Sequence, residues 1–327
     1  MRRVIDLLWS LCLALYVANI LLHAKAFAKR NPIRRPRKQS LPLLLSRVIF
    51  GLPVSVVAGC WLSVWIVVWE CFRQPLWRPT KMASAENLTA SVSLCGGGFR
   101  TWYHLGIYWG LYEYLGIDAV RRLEFSGASI GALVATVAAC GIHPADIWAH
   151  IPAIAEAYRT AFLGHFTTVG QFCRYLLHAL LPEDAHLSVK GRLHISLSSL
   201  LPLPHNIFQS EFATREDLID AVIAAQYIPT WTFPGLCIYR NQLCVDGGVT
   251  NNLPALSKDS LCIGLDIDDI HSWDADLVPS QPLARVNTFL PANGTDLKRM
   301  LDCGKMDIMA WFGTARGRKF IEQAARN

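Results

Sequence analysis

Leu123-Glu124-Phe125-Ser126-Gly127-Ala128-Ser129-Ile130-Gly131-Ala132-Leu133 is the stretch that decides the fold. Leu123 and Phe125 flank a charged residue, the alternation of a short strand. From Ile130 to Ala139 no residue is charged, small residues recur, and Gly141 follows. That pattern predicts a helix buried on all sides with a glycine stop. Between them stands Gly127-Ala128-Ser129-Ile130-Gly131, a Gly-x-Ser-x-Gly. Strand, sharp turn and helix are the context in which this pentapeptide carries chemistry. The turn strains the serine backbone and points its hydroxyl out of the fold. Gly127 and Gly131 let strand and helix approach closely, and the helix N-terminus offers free N–H groups to a reacting carbonyl. Ser129 is the candidate nucleophile. In a chain with 22 glycines the pentapeptide also arises by chance, so its partners must be found elsewhere.

The 327 residues suffice for one large domain and an appendage. The chain is 52% hydrophobic and 17% charged, against roughly 25% charged in soluble domains, which points to a membrane contribution. The net charge of +6 is unevenly spread. Residues 1–69 hold ten Lys and Arg and one acid, Asp6, leaving the remainder mildly acidic. This argues against nucleic-acid binding as the main function. The 10 cysteines lie far apart, without Cys-x-x-Cys or zinc spacing. They read as reduced and mostly buried, with Cys95 a packing residue.

Leu7–Leu22 and Val48–Trp69 are both free of charge, and the second reaches the ~20 residues that span a bilayer core. Between them, residues 25–47 are basic without an acid, and Pro32, Pro36 and Pro42 break any helix. A membrane hairpin over 7–22 and 48–69 with a basic loop is the reading adopted for residues 1–69. The alternatives are a signal peptide starting at Met1-Arg2-Arg3, or two core helices of a soluble domain. Sequons at Asn87 and Asn293 add little, and the side of the membrane stays open.

Residues 70–88 read as a linker, 89–270 as the catalytic domain and 271–327 as a C-terminal helical extension. Strands are expected at Ala90–Cys95, Arg192–Leu200, Gly235–Tyr239, Gln242–Val245 and Leu261–Asp266. Helices are expected at Arg100–Leu115, His143–Arg159, Phe166–Leu181 and Leu218–Gln226. A last helical stretch runs from Met300 to Ala325, interrupted near Gly313. Alternating strands and helices give an α/β class with a mainly parallel sheet.

Two further stretches carry chemistry. Gly96-Gly97-Gly98-Phe99-Arg100 falls at a strand-to-helix turn, where consecutive N–H groups can converge on an oxyanion. The plain alternative, a dinucleotide or phosphate loop, lacks the last glycine of Gly-x-Gly-x-x-Gly, because Thr101 stands there. Asp246-Gly247-Gly248 follows an apolar strand, so a carboxylate at a strand end can approach another loop. Its plain alternative is an ordinary Asp-Gly turn.

In this order the three motifs resemble the patatin-like phospholipase family, in its animal triglyceride-lipase branch. Tyr103-His104-Leu105-Gly106, Tyr227-Ile228-Pro229 and Val249-Thr250-Asn251-Asn252-Leu253-Pro254 extend the likeness over about residues 90–270. Thr101 departs from the glycine common in the family. The resemblance implies a three-layer sandwich and a Ser-Asp dyad. Ser129 would be the nucleophile, Asp246 the base, and Gly96, Gly97 and Gly98 the oxyanion donors. Arg100, Gly127, Gly131, Gly247 and Gly248 would support the motifs. It further implies hydrolysis of phospholipid or acylglycerol esters through an acyl-enzyme, with no metal or cofactor and with a membrane or lipid-droplet surface as partner. A transacylase and a catalytically silent scaffold are the alternatives. The mechanistic rival is a triad of Ser129, Asp246 and His271 in α/β-hydrolase order. His104 reads as a core or supporting residue, and His143 and His150 as a solvated face. The acyl pocket is expected near Leu105, Trp109 and Phe233.

Overall fold

A computed structural model describes residues 90–160, 169–201, 204–228, 232, 237–265 and 275–326. The two hydrophobic runs, the basic loop and the linker lie outside these residues. Among the described residues no helix is long and apolar enough to cross a membrane.

The first half of the domain runs β1 (Ser91–Leu94), a 3-10 turn (Gly98–Thr101), α1 (Trp102–Leu115), α2 (Ile117–Val120), β2 (Glu124–Ala128), α3 (Ile130–Ala139), α4 (Pro144–Thr160), α5 (Val169–Leu180) and α6 (Ala185–Ser188). The second runs β3 (Leu193–Ser199), β4 (His205–Gln209), α7 (Arg215–Ala225), β5 (Cys237–Tyr239), β6 (Gln242–Val245), α8 (Gly248–Asn251) and β7 (Leu261–Ile263). After a 3-10 turn at Arg285–Thr288, α9 (Gly294–Phe312) and α10 (Ala315–Arg326) follow, broken at Gly313. Gly116 (φ 81) ends α1 and Gly141 (φ 67) follows α3, as the glycine stops predict. Thr214 caps α7 by accepting from the Asp217 N–H at 3.1 Å. Asn293, the acceptor of the second sequon, uses its side-chain oxygen to cap α9 at 2.9 Å.

The sheet is mixed, which corrects the mainly parallel expectation. β1 pairs in parallel with β2 and β7, and β2 in parallel with β3. β4 and β6 run antiparallel to β3, and β5 antiparallel to β6. For β3–β4 and β5–β6 connection length is the reason: a parallel crossover needs about a dozen residues, and these two links are shorter. Arg240 (φ 48) and Asn241 (φ 62) form the two-residue turn between β5 and β6, where positive φ matches the twist of a tight hairpin.

The register carries a geometric consequence. Ile195 and Ser196 of β3 pair with both β2 and β4, so these two lie on opposite sides of β3. Ser198 and Ser199 pair with both β4 and β6. A strand has two edges, so β2 and β6 share one edge of β3. β2 runs along it up to Ala128 opposite Ser196, and β6 comes the other way, down to Val245 opposite Ser198. The residues that follow the two strands, Ser129 and Asp246, therefore converge beside Leu197.

α3 is buried from Gly131 to Ala139 and packs on β1, β2 and β3 as well as α1, α5 and α7. Small side chains make this enclosure possible without voids. The C-terminal helices join the same body, because α9 crosses α1 with backbone contact. A Cβ on Gly106 would lie 2.0 Å from the Leu301 carbonyl oxygen, and one on Gly304 would lie 2.1 Å from that of Tyr103. Tyr103 Oη donates to Asp307 at 3.0 Å across the same interface. Gly106→Ala should therefore lower stability by about 1–3 kcal/mol through overpacking, read as a fall in Tm. Gly294→Ala, where an added Cβ meets nothing within 4 Å, should leave Tm within a degree or so or raise it.

Candidate active site

Ser129 sits between β2 and α3 with φ 52 and ψ −135. A non-glycine residue held there stores about 1–3 kcal/mol of backbone strain. The flanking glycines are required by contact. A Cβ on Gly127 would lie 2.5 Å from the Gly131 carbonyl carbon, and one on Gly131 would lie 2.5 Å from the Cys95 carbonyl oxygen. The turn is thus wedged between the end of β1 and the start of α3, which fixes the direction of the serine side chain.

Ser129 Oγ donates to Asp246 Oδ2 at 2.5 Å, and both residues are 8% exposed. Asp246 Oδ1 accepts from the Gly248 N–H at 2.7 Å. Burial pushes the Asp246 carboxyl up to about 6 from an ordinary 3.8, against the opposing pull of those two hydrogen bonds. Asp246 N–H donates to Tyr227 O at 2.8 Å, and Gly247 N–H donates to Ala225 O at 2.8 Å. Gly247 is required here too, because a Cβ would lie 2.0 Å from Ser196 O.

Beneath this loop lies a polar network that sequence reading did not find. Ser198 Oγ donates to Asp246 O at 2.8 Å and contacts Thr250 Oγ1 at 2.7 Å. Ser196 Oγ donates to Asn251 O at 3.0 Å, and Asn206 Nδ2 donates to Ser196 Oγ at 2.8 Å. Alternate serines on β3 were the available signal, since Ser196 and Ser198 face one side of a buried strand.

The glycine loop divides its labour. The Gly96 N–H donates to Asn252 Oδ1 at 3.0 Å, so it is already engaged. The N–H groups of Gly97 and Gly98 have no partner among the described residues. Gly98 has φ +59, and a Cβ there would lie 1.8 Å from Thr288 O. Arg100 is buried on the 3-10 turn, with its N–H donating to Gly97 O at 3.3 Å.

Among the described residues no histidine bonds to Ser129 or Asp246. His271 lies outside the described residues. His104 is fully buried, and its Nε2–H donates to Cys95 O at 2.9 Å. Burial lowers it to about 4, so it stays neutral and holds the strand end that leads into the glycine loop. His143 accepts from the Ala145 N–H at 3.1 Å at the start of α4.

An apolar recess opens beside Ser129, walled by Trp102, Ile130, Leu133, Ile154, Phe172 and Leu176. The expected pocket residues are elsewhere. Leu105 is buried in the core. Trp109 faces α9, with the Lys305 ammonium 5.6 Å from its ring centroid. Phe233 lies outside the described residues. Trp109 shares a side of α1 with Trp102 but lies about two turns further along the axis, so distance along the helix and not its face separates it from the recess.

The comparison with known families assigns the class, lipid-acting α/β proteins of the patatin type. The chain belongs to the patatin-like phospholipase family, whose family model matches residues 92–257. Human patatin-like phospholipase domain-containing protein 4 is 32% identical over 52% of this chain and 68% of its own length. Human omega-hydroxyceramide transacylase is 32% identical over 50% of this chain and 31% of its own. Mouse 1-acylglycerol-3-phosphate O-acyltransferase Pnpla3 is 28% identical over 67% of this chain and 52% of its own. The chain spans about a third of the length of the omega-hydroxyceramide transacylases and about half that of Pnpla3.

The raised Asp246 carboxyl has a stability consequence. The folded state holds this proton more tightly than the unfolded chain does. Its stabilising contribution is present at low pH and is lost as pH rises from about 3.8 through about 6. Asp246→Asn removes the buried charge, so above pH 7 this variant should be more stable than wild type by on the order of 1–3 kcal/mol. The difference should shrink towards zero below pH 4, as followed by thermal unfolding across pH.

Proposed function

We propose that this protein is a membrane-associated lipid acyl hydrolase, with Ser129 as nucleophile and Asp246 as base. The observation that carries the reading is the 2.5 Å contact between Ser129 Oγ and Asp246 Oδ2. A carboxyl pushed up to about 6 accepts a proton more readily than an ordinary one and is still largely ionised at neutral pH. Ser129 Oγ attacks the ester carbonyl as its proton passes to Asp246. The oxyanion that forms takes hydrogen bonds from Gly97 and Gly98, because the Gly96 N–H is engaged with Asn252. Collapse expels the alcohol, which takes the proton from Asp246 and leaves an acyl-serine. Water attacks next, giving its proton to Asp246; collapse frees the fatty acid, and the departing Ser129 Oγ takes the proton back from Asp246. The acyl chain occupies the recess walled by Trp102, Ile130, Phe172 and Leu176, where apolar surface removed from water contributes ~25 cal/mol per Å² to binding.

The membrane part of the reading rests on Leu7–Leu22, Val48–Trp69 and the basic residues between them, which suit attachment to an anionic surface. A second reading, a lipid transacylase, replaces water with a lipid hydroxyl in the last step. Relatives named as a transacylase and as an O-acyltransferase favour keeping it.

Purified enzyme should release fatty acid from phospholipid or acylglycerol esters, and Ser129→Ala should lose at least ~10³-fold in kcat. Fluorophosphonate labelling should disappear with it, and activity that survives in this variant would remove Ser129 from the mechanism. The acid limb of kcat/KM should titrate near 6, because Asp246 must be ionised to act as a base. Adding glycerolipid acceptors and following acyl transfer separates hydrolase from transacylase.

A further inference from the structure

We infer that Asn252 is a positioning residue of this site: its amide oxygen engages the first glycine N–H and clasps the glycine loop to the Asp246 loop. The inference rests on the reading of Ser129 and Asp246 as the reacting pair. Gly96 and Asn252 are 156 residues apart in the chain and bonded at 3.0 Å. A Cβ on Gly96 would lie 2.7 Å from Asn252 Oδ1 and 2.6 Å from Ser129 Cβ. A Cβ on Gly248 would lie 2.7 Å from the same oxygen and 3.0 Å from Asp246 Oδ1. One amide oxygen therefore stands where the glycine loop, the serine turn and the aspartate loop converge. Because Gly96 donates, the amide orientation is settled: oxygen towards the loop, nitrogen away from it.

The clasp is itself held. Asn252 follows α8, a single turn whose first N–H, that of Gly248, donates to Asp246 Oδ1. Ser196 holds the carbonyl of Asn251, and Ser126 Oγ donates to Pro254 O at 2.7 Å. The backbone is thus fixed on both sides of Asn252, and α8 acts as a rigid spacer between Asp246 and the amide. With Gly96 pinned, the next two N–H groups keep their register against Ser129. Those donors act when charge develops on the substrate oxygen, so losing the clasp weakens the transition state more than the bound ester.

The test compares Asn252→Ala and Asn252→Asp on a soluble ester and by fluorophosphonate labelling, in the full chain. Asn252→Ala should lower kcat and the labelling rate about 10–100-fold with KM within about twofold, a fraction of the 10²–10³ typical for deleting one donor. Asn252→Asp keeps an acceptor for Gly96, so its kcat above pH 8 should stay within a few-fold of wild type. No charged side chain figures among the causes that set the Asp246 carboxyl, so the new carboxylate should raise it further. The acid limb should then move up by at least about half a pH unit. A merely structural role would lower Tm and depress kcat in Asn252→Asp as in Asn252→Ala, whereas the clasp is rescued by the acceptor that Asn252→Asp keeps. Wild-type kcat and labelling in Asn252→Ala, or a kcat above pH 8 in Asn252→Asp as low as in Asn252→Ala, overturns the inference. Neither outcome touches the roles of Ser129 and Asp246, which Ser129→Ala tests separately.

Discussion

Two strands approach each other head-on along one edge of β3, and the site exists because neither can continue. β2 arrives from one end and β6 from the other, with a single pairing position of β3 between Ala128 and Val245. Each chain has to leave the sheet within one residue. Only glycine-flanked turns allow this, since side chains at Gly127, Gly131 or Gly247 would overlap backbone atoms at 2.5 Å or less. The two residues that make the turns are Ser129 and Asp246, so their contact follows from strand register.

That arrangement works against stability at two points. Ser129 is held at positive φ, and a carboxylate is buried with two hydrogen bonds. Local strain and an under-solvated charge persist only where surrounding structure determines them. The serine and threonine hydroxyls under the Asp246 loop and the packed glycine wedge under Ser129 supply that determination. The same burial that costs stability gives the carboxyl its basicity, and here one physical term serves both ends.

Relatives of this chain are named for transfer to a ceramide, for acylation of an acylglycerol phosphate and, more generally, as phospholipase-domain proteins. The acyl-serine proposed for Ser129 would be compatible with either outcome, hydrolysis or transfer, because the acceptor enters only in the second half-reaction. Under the proposed mechanism, the acceptor that reaches the recess beside Ser129 decides between the two, since fold membership alone does not specify the reaction.

Much of the site was legible in one dimension. Gly-x-Ser-x-Gly, the glycine triplet and Asp-Gly-Gly are short, chemically restricted patterns, and Gly98, Gly127, Gly131 and Gly247 are each demanded by a backbone contact that tolerates no side chain. The helix stop at Gly141 is equally local, and a local rule found it; the stop at Gly116, the cap at Thr214 and the Arg240-Asn241 turn obey rules of the same kind. Other features depended on partners distant in sequence. The edge strand His205–Gln209 carries few apolar residues and stays partly exposed, so no burial pattern marks it. The wall of the recess draws on α1, α3, α4 and α5 together, and no single helix periodicity says which face meets the others. That Asn252 accepts from Gly96, and that a serine and an aspartate 117 residues apart are hydrogen-bonded at 2.5 Å, is decided by the register of β2 and β6 on β3. The sequence alone determined which residues have reactive side chains and where the backbone must turn. Tertiary structure alone decided which of them meet and how dry the meeting place is, because distance and desolvation are properties of the packed sheet.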